Sequence, residues 1–184
     1  LTATLIEASG FEKVEGLVTL SPLDNGTYEI NGQTFDKVIL SCGAWLGQTL
    51  EPLGFEVDVR PQKGQLRDYF FEGMDTGRLP VLMPEGELDV IPFAGGKISV
   101  GASHENDQGF DLTVDETVLA SLEEEAKTYF PDLSTAKSIS ERVGTRAYTS
   151  DFSPFFGEVP ELEGVFVASG LGSSGLTTGP LIGK

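Results

Sequence analysis

Apolar positions along this chain follow two different rhythms. β-Favouring residues form short runs at Thr27–Ile30 and Thr34–Leu40, joined by Asn31-Gly32, a pair in which both members tolerate positive φ. This predicts a hairpin. Its second arm loses alternation over Lys37–Cys42 and becomes continuously apolar, the pattern of a strand covered on both faces. It runs into Gly43-Ala44-Trp45-Leu46, a glycine break with a short helix expected after it. Between Phe55 and Ser103 the pattern predicts short strands at Gln65–Phe71, Val81–Met83, Asp89–Phe93 and Lys97–Ala102, the last two joined across Ala94-Gly95-Gly96. Successive hairpins build an antiparallel sheet.

The rhythm changes once to a helical one. Val118, Leu119, Leu122, Ala126, Tyr129 and Phe130 recur at helical spacing, Thr113 with Glu116 reads as a capping box, and Pro131 ends the run. The opposite face carries Glu123, Glu124, Glu125 and Lys127, so the helix is expected to pack on the sheet and show an acidic face to water. A last apolar strand, Gly164–Ser169, leads into Gly170-Leu171-Gly172-Ser173-Ser174-Gly175.

Composition narrows the function classes. The 184 residues include 29 acids and 12 bases, a net charge of −17, and a field of that sign repels phosphate backbones and anionic lipid. A nucleic-acid or membrane partner is therefore not expected. One cysteine, Cys42, allows no intrachain disulfide, and no apolar run approaches the length of a membrane span or a signal peptide, which reads as cytoplasmic. The chain begins at Leu1 and stops at Lys184 where a helix is starting, so a fragment of a longer protein is expected.

Several short motifs invite chemistry. Gly179–Lys184 lacks the spacing of a P-loop, and neither Ser173 nor Ser174 is flanked by both glycines of a nucleophile elbow. Gly170, Gly172 and Gly175 match the string of a dinucleotide fingerprint after a strand, but the acid expected about 20 positions later falls beyond Lys184. What remains is a strand end followed by glycines that would expose backbone N–H groups at a helix N-terminus, which suits an anionic or polarised ligand atom; a tight turn in a packed α/β unit is the alternative. Arg146 lies among β-like residues, where a guanidinium would take a planar anion such as a substrate carboxylate or pair with surface acids. His104, flanked by Glu105 and Asp107, reads as an acid/base or metal candidate or as a solvated loop residue; a lone histidine without cysteines makes a poor metal site, and none is expected. Cys42 reads as packing, and Trp45 as core or a lid.

Taken in order, these pieces resemble the FAD-dependent family of D-amino acid oxidase, glycine oxidase and sarcosine oxidase. KVILSCGAW (37–45) resembles its strand ending in Ala-Gly-Ala-Trp, and VRPQKGQ (59–65) its Arg-Pro-x-Arg-Gly-Gln crossover. ISVGAS (98–103) is similar to the strand leading to Gly-Ala-Thr. VGTR (143–146) with Thr149, Asp151 and Pro154 resembles Gly-x-Arg-Pro-x-Thr-x-Asp-x-x-Pro, and the glycine loop resembles the closing flavin segment.

The resemblance implies an α+β fragment of a two-domain flavoprotein: an antiparallel substrate-domain sheet with a packed helix, plus part of a FAD-binding α/β domain. Residues 1–55 and 142–184 would belong to the FAD-binding domain and 56–141 to the substrate domain. Val14 would meet the adenine, Gly43, Ala44 and Trp45 the ribityl and pyrophosphate, and Gly170, Leu171, Gly172, Ser173, Ser174, Gly175 and Leu176 the isoalloxazine. Arg146 would take the substrate carboxylate. It stands near where the sarcosine oxidase relatives attach flavin through cysteine, which implies non-covalent FAD. The implied reaction oxidises the C–N bond of a small amino acid (glycine, a D-amino acid or an N-methyl amino acid) to an imine and then a keto acid, with O₂ or another acceptor taking the electrons. The chain alone is expected to be inactive. Ala147 for the usual proline, Lys63 for arginine and Ser173 for a basic residue depart from the family pattern. The alternative is a non-catalytic α+β binding or scaffold module.

Overall fold

In the computed structural model, residues 2–184 are described, apart from the side chains of Thr2 and Ser173. A helix, α1 (Thr2–Ser9), precedes a meander of three short strands, β1 (Leu20–Pro22), β2 (Tyr28–Ile30) and β3 (Gln33–Phe35). Asn31 and Gly32 both have positive φ, as a two-residue hairpin turn with the twist of its strands requires.

The second arm of this hairpin is not continuous. It breaks at Asp36-Lys37, and Val38–Leu40 (β4) leaves the meander for a different sheet. Nor is β4 covered on both faces: Val38 and Leu40 are buried but Ile39 is 73% exposed. The apolar run is real, and in this chain only one face of its sheet is packed. After β4 come a 3-10 turn at Gly43–Trp45 and the short helix α2 (Leu46–Leu50).

The middle of the chain forms the antiparallel sheet expected of it. β5 (Arg60–Phe70), β6 (Asp89–Pro92), β7 (Lys97–Gly101) and β8 (Lys137–Tyr148) lie in the order β6-β7-β5-β8. Val81–Met83 is not a strand; Leu82 makes a single bridge to Val90, and the prolines on either side, Pro80 and Pro84, lack the N–H a ladder needs. β8 is the long strand that the apolar pattern hides, since Ser140, Glu141 and Arg142 place polar groups on both of its faces. It runs without a break through residue 142.

α3 (Glu116–Tyr129) packs on this sheet. Leu122 and Ala126, with Leu133, meet Tyr69, Ile98 and Val100 in one buried cluster, each large aliphatic side chain contributing about 1.5–3 kcal/mol of transfer free energy. Its cap differs from the capping box expected. Asp115 is the N-cap, its carboxylate accepting from the N–H groups of Thr117 and Val118, while the Thr113 hydroxyl and N–H are engaged by Asp111. Arg67 on β5 bonds Glu116 at 2.5 Å and Glu141 at 3.2 Å, and the Tyr69 hydroxyl donates to Glu123, so polar contacts also seat the helix.

The chain closes with β9 (Phe155–Glu158), β10 (Val165–Ser169) and α4 (Gly175–Ile182). β10 pairs parallel with β4 and antiparallel with β9. Leu46, Leu50, Val38, Leu40 and Val165 form a second core beneath this sheet, with Cys42 packed at its edge. No helix among the described residues is long and apolar enough to cross a membrane.

On the sheet face away from α3, Asp68 is buried and receives Ser99 at 2.5 Å, Arg142 and Lys97 at 2.9 Å and Ser140 at 2.9 Å. Burial alone raises its pKa, but the hydrogen bonds from Ser99, Arg142, Lys97 and Ser140 outweigh this and hold it well below the carboxylate range.

Two stability tests follow from this packing. Asp115→Ala should cost about 1 kcal/mol through loss of the cap, whereas Thr113→Ala should cost clearly less, as read by denaturant unfolding. Because the folded pKa of Asp68 lies below its unfolded value, its stabilisation is present above about pH 4 and is lost as pH falls toward the folded value. The difference in Tm between the wild type and Asp68→Asn should therefore narrow as pH drops below about 4; a constant difference would contradict the assignment.

Candidate active site

The long pairing of β5 with β8 sets the geometry of the site. Gln62 lies opposite Arg146 and Gly64 opposite Gly144, all on the sheet face away from α3. The Arg146 guanidinium lies across β5: a Cβ built on Gly64 would stand 3.3 Å from Arg146 Nη2 and 3.2 Å from the Ser103 carbonyl. Glycine at 64 is thus the space the guanidinium occupies. Nη1 donates to Gln62 Oε1 at 2.6 Å, and Gln62, only 4% exposed, is held in turn through Nε2 by Asn106 Oδ1 at 2.7 Å.

Arg146 is half-buried, yet no carboxylate among the described residues comes within 4 Å of it. Burial draws its pKa down from the usual guanidinium value, and the charge of Glu87 partly opposes that. A fixed, partly desolvated cation bonded to a neutral amide retains donors for an anion from outside the chain.

The glycine loop stands beside it. Gly170, with φ +70°, is pressed against the chain itself, since a Cβ there would lie 2.6 Å from Thr149 Cγ2, just past the end of β8. Gly43 and Gly172 differ: both have positive φ, and a Cβ on either would meet nothing within 4 Å. Both line one hollow of about 870 Å³, floored by β4 and β10 residues such as Ile39 and Val167 and closed on one side by Arg146. Ser169 Oγ donates to the Gly43 carbonyl at 3.0 Å, tying the two loops that rim it.

A second hollow of about 490 Å³ shares Arg146, Ala147 and the loop at Gly170–Gly172 with the first. Its other walls carry Gln62, Glu87, Asp89 and His104, with Met83, Tyr148 and Phe152 among the apolar ones. The rings of Tyr148 and Phe152 meet edge to face at 5.3 Å.

The structure therefore brings together Arg146, Gly43, Gly170, Leu171 and Gly172, with Ser174 on the second hollow only. Ala44 is buried in the turn behind Gly43, and Trp45 stacks on Phe110 at 4.8 Å, joining the β4 turn to the loop after β7, and lines neither hollow. Gly175 begins α4, and Leu176 is exposed outside both hollows. Val14 lies in the irregular stretch before β1, 73% exposed and away from them. The side chain of Ser173 lies outside the described residues. Glu87 and Asp89 carry no motif, and Gln62 stands at the variable position of VRPQKGQ; only their fold neighbours mark them. His104, weighed as an acid/base or metal candidate, lies beside Glu87, and no group of three His, Cys, Asp or Glu side chains suited to a metal occurs among the described residues.

An 870 Å³ apolar-floored hollow with bare main chain at two open glycines fits a flat cofactor lying against the backbone. The family model of FAD-dependent oxidoreductases, DAO, matches residues 3–184. The chain is 41% identical over 149 residues to the uncharacterised oxidoreductase YurR of Bacillus subtilis (strain 168), covering 80% of this chain and 40% of that protein. It is 31% identical over 174 residues to the glycine oxidase of Pseudomonas putida, covering 95% of this chain and 45% of that one. The solved iminodiacetate oxidase of Chelativorans sp. BNC1 superposes with a TM-score of 0.90 at 33% identity, over 98% of this chain and 50% of that chain. The chain thus spans less than half the length of these curated relatives. Matched by the family model along almost its whole length, it belongs to the DAO family of FAD-dependent oxidoreductases, with the mixed α+β fold of a piece of such a flavoprotein.

Proposed function

We propose that this chain forms the substrate-facing half of an enzyme that oxidises the C–N bond of a small amino acid, with Arg146 binding the substrate carboxylate and the larger hollow receiving the flavin ring of non-covalent FAD. The single observation that carries this reading is that Arg146, half-buried and without an ionic partner among the described residues, lies on the wall shared by both hollows. A relative is named glycine oxidase and a structural neighbour iminodiacetate oxidase, which supports an amine-bearing carboxylate as substrate class.

FAD, when bound, supplies the two-electron acceptor for this oxidation. The contribution of the chain is placement. Arg146 fixes the carboxylate by charge-assisted hydrogen bonds, Gln62 and Gly64 fix Arg146, and the apolar surfaces of Leu171, Tyr148 and Phe152 reduce access of water to the α-carbon. Main-chain N–H groups of the Gly170–Gly172 loop would face the ring edge when FAD is bound, where negative charge would develop. Gly43 and Ala44 would lie near the ribityl chain. Electrons would leave to O₂ or another acceptor. By itself this chain should hold FAD weakly and turn over no substrate, because it spans less than half the length of its curated relatives; visible flavin absorbance and turnover of the purified 184-residue chain test this.

A binding module without chemistry would leave the charge of Arg146 without a substrate consequence, and mutation separates the two readings. In the full-length, FAD-loaded enzyme, Arg146→Ala should lower kcat/KM for amino acids about a hundredfold, chiefly through KM, and alter oxidation of amines lacking a carboxylate far less. Equal losses on both would contradict the role. Gly64→Val should reproduce much of the Arg146→Ala effect by displacing the guanidinium, with a smaller loss for Gly64→Ala, where neighbours need give only a few tenths of an ångström.

A further inference from the structure

The second hollow has opposite charges on its two ends. Arg146 stands on β8 at one end. At the other, Glu87 precedes β6 and Asp89 is its first residue. Adjacent strands lie about 4.8 Å apart, so with β7 and β5 between them the backbones of β6 and β8 are separated by roughly 14 Å, and the Arg146 guanidinium, which lies across β5, reaches part of the way toward the acids.

The acidic end is held in place and open to a ligand. The His104 N–H donates to Glu87 Oε2 at 3.1 Å, and His104 Nδ1 lies 3.6 Å from the same oxygen. That leaves Glu87 Oε1 free of any hydrogen bond among the described residues. Asp89, half-buried, has no hydrogen-bond or ion-pair partner among them either. In register it faces Gly101, which has no side chain to cover it. Glu87 does not neutralise Arg146 directly, because no carboxylate lies within 4 Å of that guanidinium. Met83, Tyr148 and Phe152 line the same hollow and offer apolar surface to a methylene chain.

We infer that the hollow reads both ends of its substrate: with the carboxylate on Arg146, Glu87 and Asp89 select amino acids whose side chain ends in a cationic group, and disfavour those ending in a second carboxylate. The inference rests on the carboxylate-binding role of Arg146 proposed above. Since Glu87 remains reachable by water, the preference is moderate rather than absolute.

Non-reacting probes separate the two claims. Valerate carries only the carboxylate, δ-aminovalerate adds an ammonium at the far end, and glutarate adds a second carboxylate. Titration calorimetry of the full-length, FAD-loaded enzyme should show δ-aminovalerate binding about tenfold tighter than valerate, and glutarate weaker than valerate. All three should weaken in Arg146→Ala. The double variant Glu87→Gln, Asp89→Asn should erase the advantage of the ammonium and relieve the penalty on glutarate, while valerate binding is kept. In the wild type the same preference should shrink with added salt, a readout that does not depend on any variant folding. Arg146-dependent binding of valerate with no gain from the ammonium, or a gain that persists in the double variant or in high salt, overturns the charge-reading wall and leaves the role of Arg146 intact. Absence of valerate binding, or binding indifferent to Arg146→Ala, overturns the underlying reading as well.

Discussion

One antiparallel pairing governs the arrangement of this molecule. β5 and β8 run together from Arg60 opposite Tyr148 to Phe70 opposite Lys137, a ladder long enough to serve two purposes. Its Phe70 end lies beneath α3 and belongs to a hydrophobic core. Its Arg60 end carries Gln62, Gly64 and Arg146 under the turn after β4 and beside the glycine loop. Because side chains alternate across a strand, a slip of one residue would carry Arg146 to the face of α3 and remove the cation from both hollows. The irregularity between Asp68 and Tyr69 lies toward the core end, so the register at Gln62 is reached by an unbroken ladder.

The buried polar groups on this sheet fit a demand for register more than for stability. Asp68 gathers Ser99, Ser140, Arg142 and Lys97 from two neighbouring strands, and on the opposite face Gln65 accepts the Asp115 N–H while its amide donates to Glu105. An apolar side chain could slide by one position with modest loss. A carboxylate holding partners from β7 and β8 at once cannot, without leaving buried charge unpaired. These networks stand along the same ladder that positions Arg146, so the cost of a slip is set by groups that take no part in the site.

Much of this was legible in the sequence, for identifiable reasons. The Asn31-Gly32 turn, the β6–β7 hairpin and α3 depend on local periodicity and turn chemistry, and those signals are carried by residues a few positions apart. The break between β3 and β4 was not legible, because Thr34 to Leu40 is uniformly β-favouring and only the sheets that recruit each half divide it. β8 was not legible either, because its two faces meet polar partners from other elements, Asp68 on one and Arg67 on the other, and it therefore carries no apolar alternation. In the site, Arg146 and the glycine loop carried recognisable motifs. Glu87 and Asp89 did not, and Gln62 holds the variable position of its motif, since these three acquire meaning only when β6, β7, β5 and β8 lie side by side.

The glycines of the closing loop show how one composition can encode two constraints. Gly170 is required by the chain's own packing, with Thr149 filling the space where a side chain would stand. Gly172 and Gly43 face open volume, so packing alone does not exclude a side chain from them; their positive φ does so in part, and the flavin proposed to lie on that backbone would account for the rest. The close contact of Gly170 with the end of β8 holds the loop against the strand that bears Arg146. A flat ring resting on Gly172 and a carboxylate held by Arg146, as proposed, would thereby be measured from the same rigid element. Orientation between two reacting groups is most cheaply maintained in this way, because no independent motion separates them.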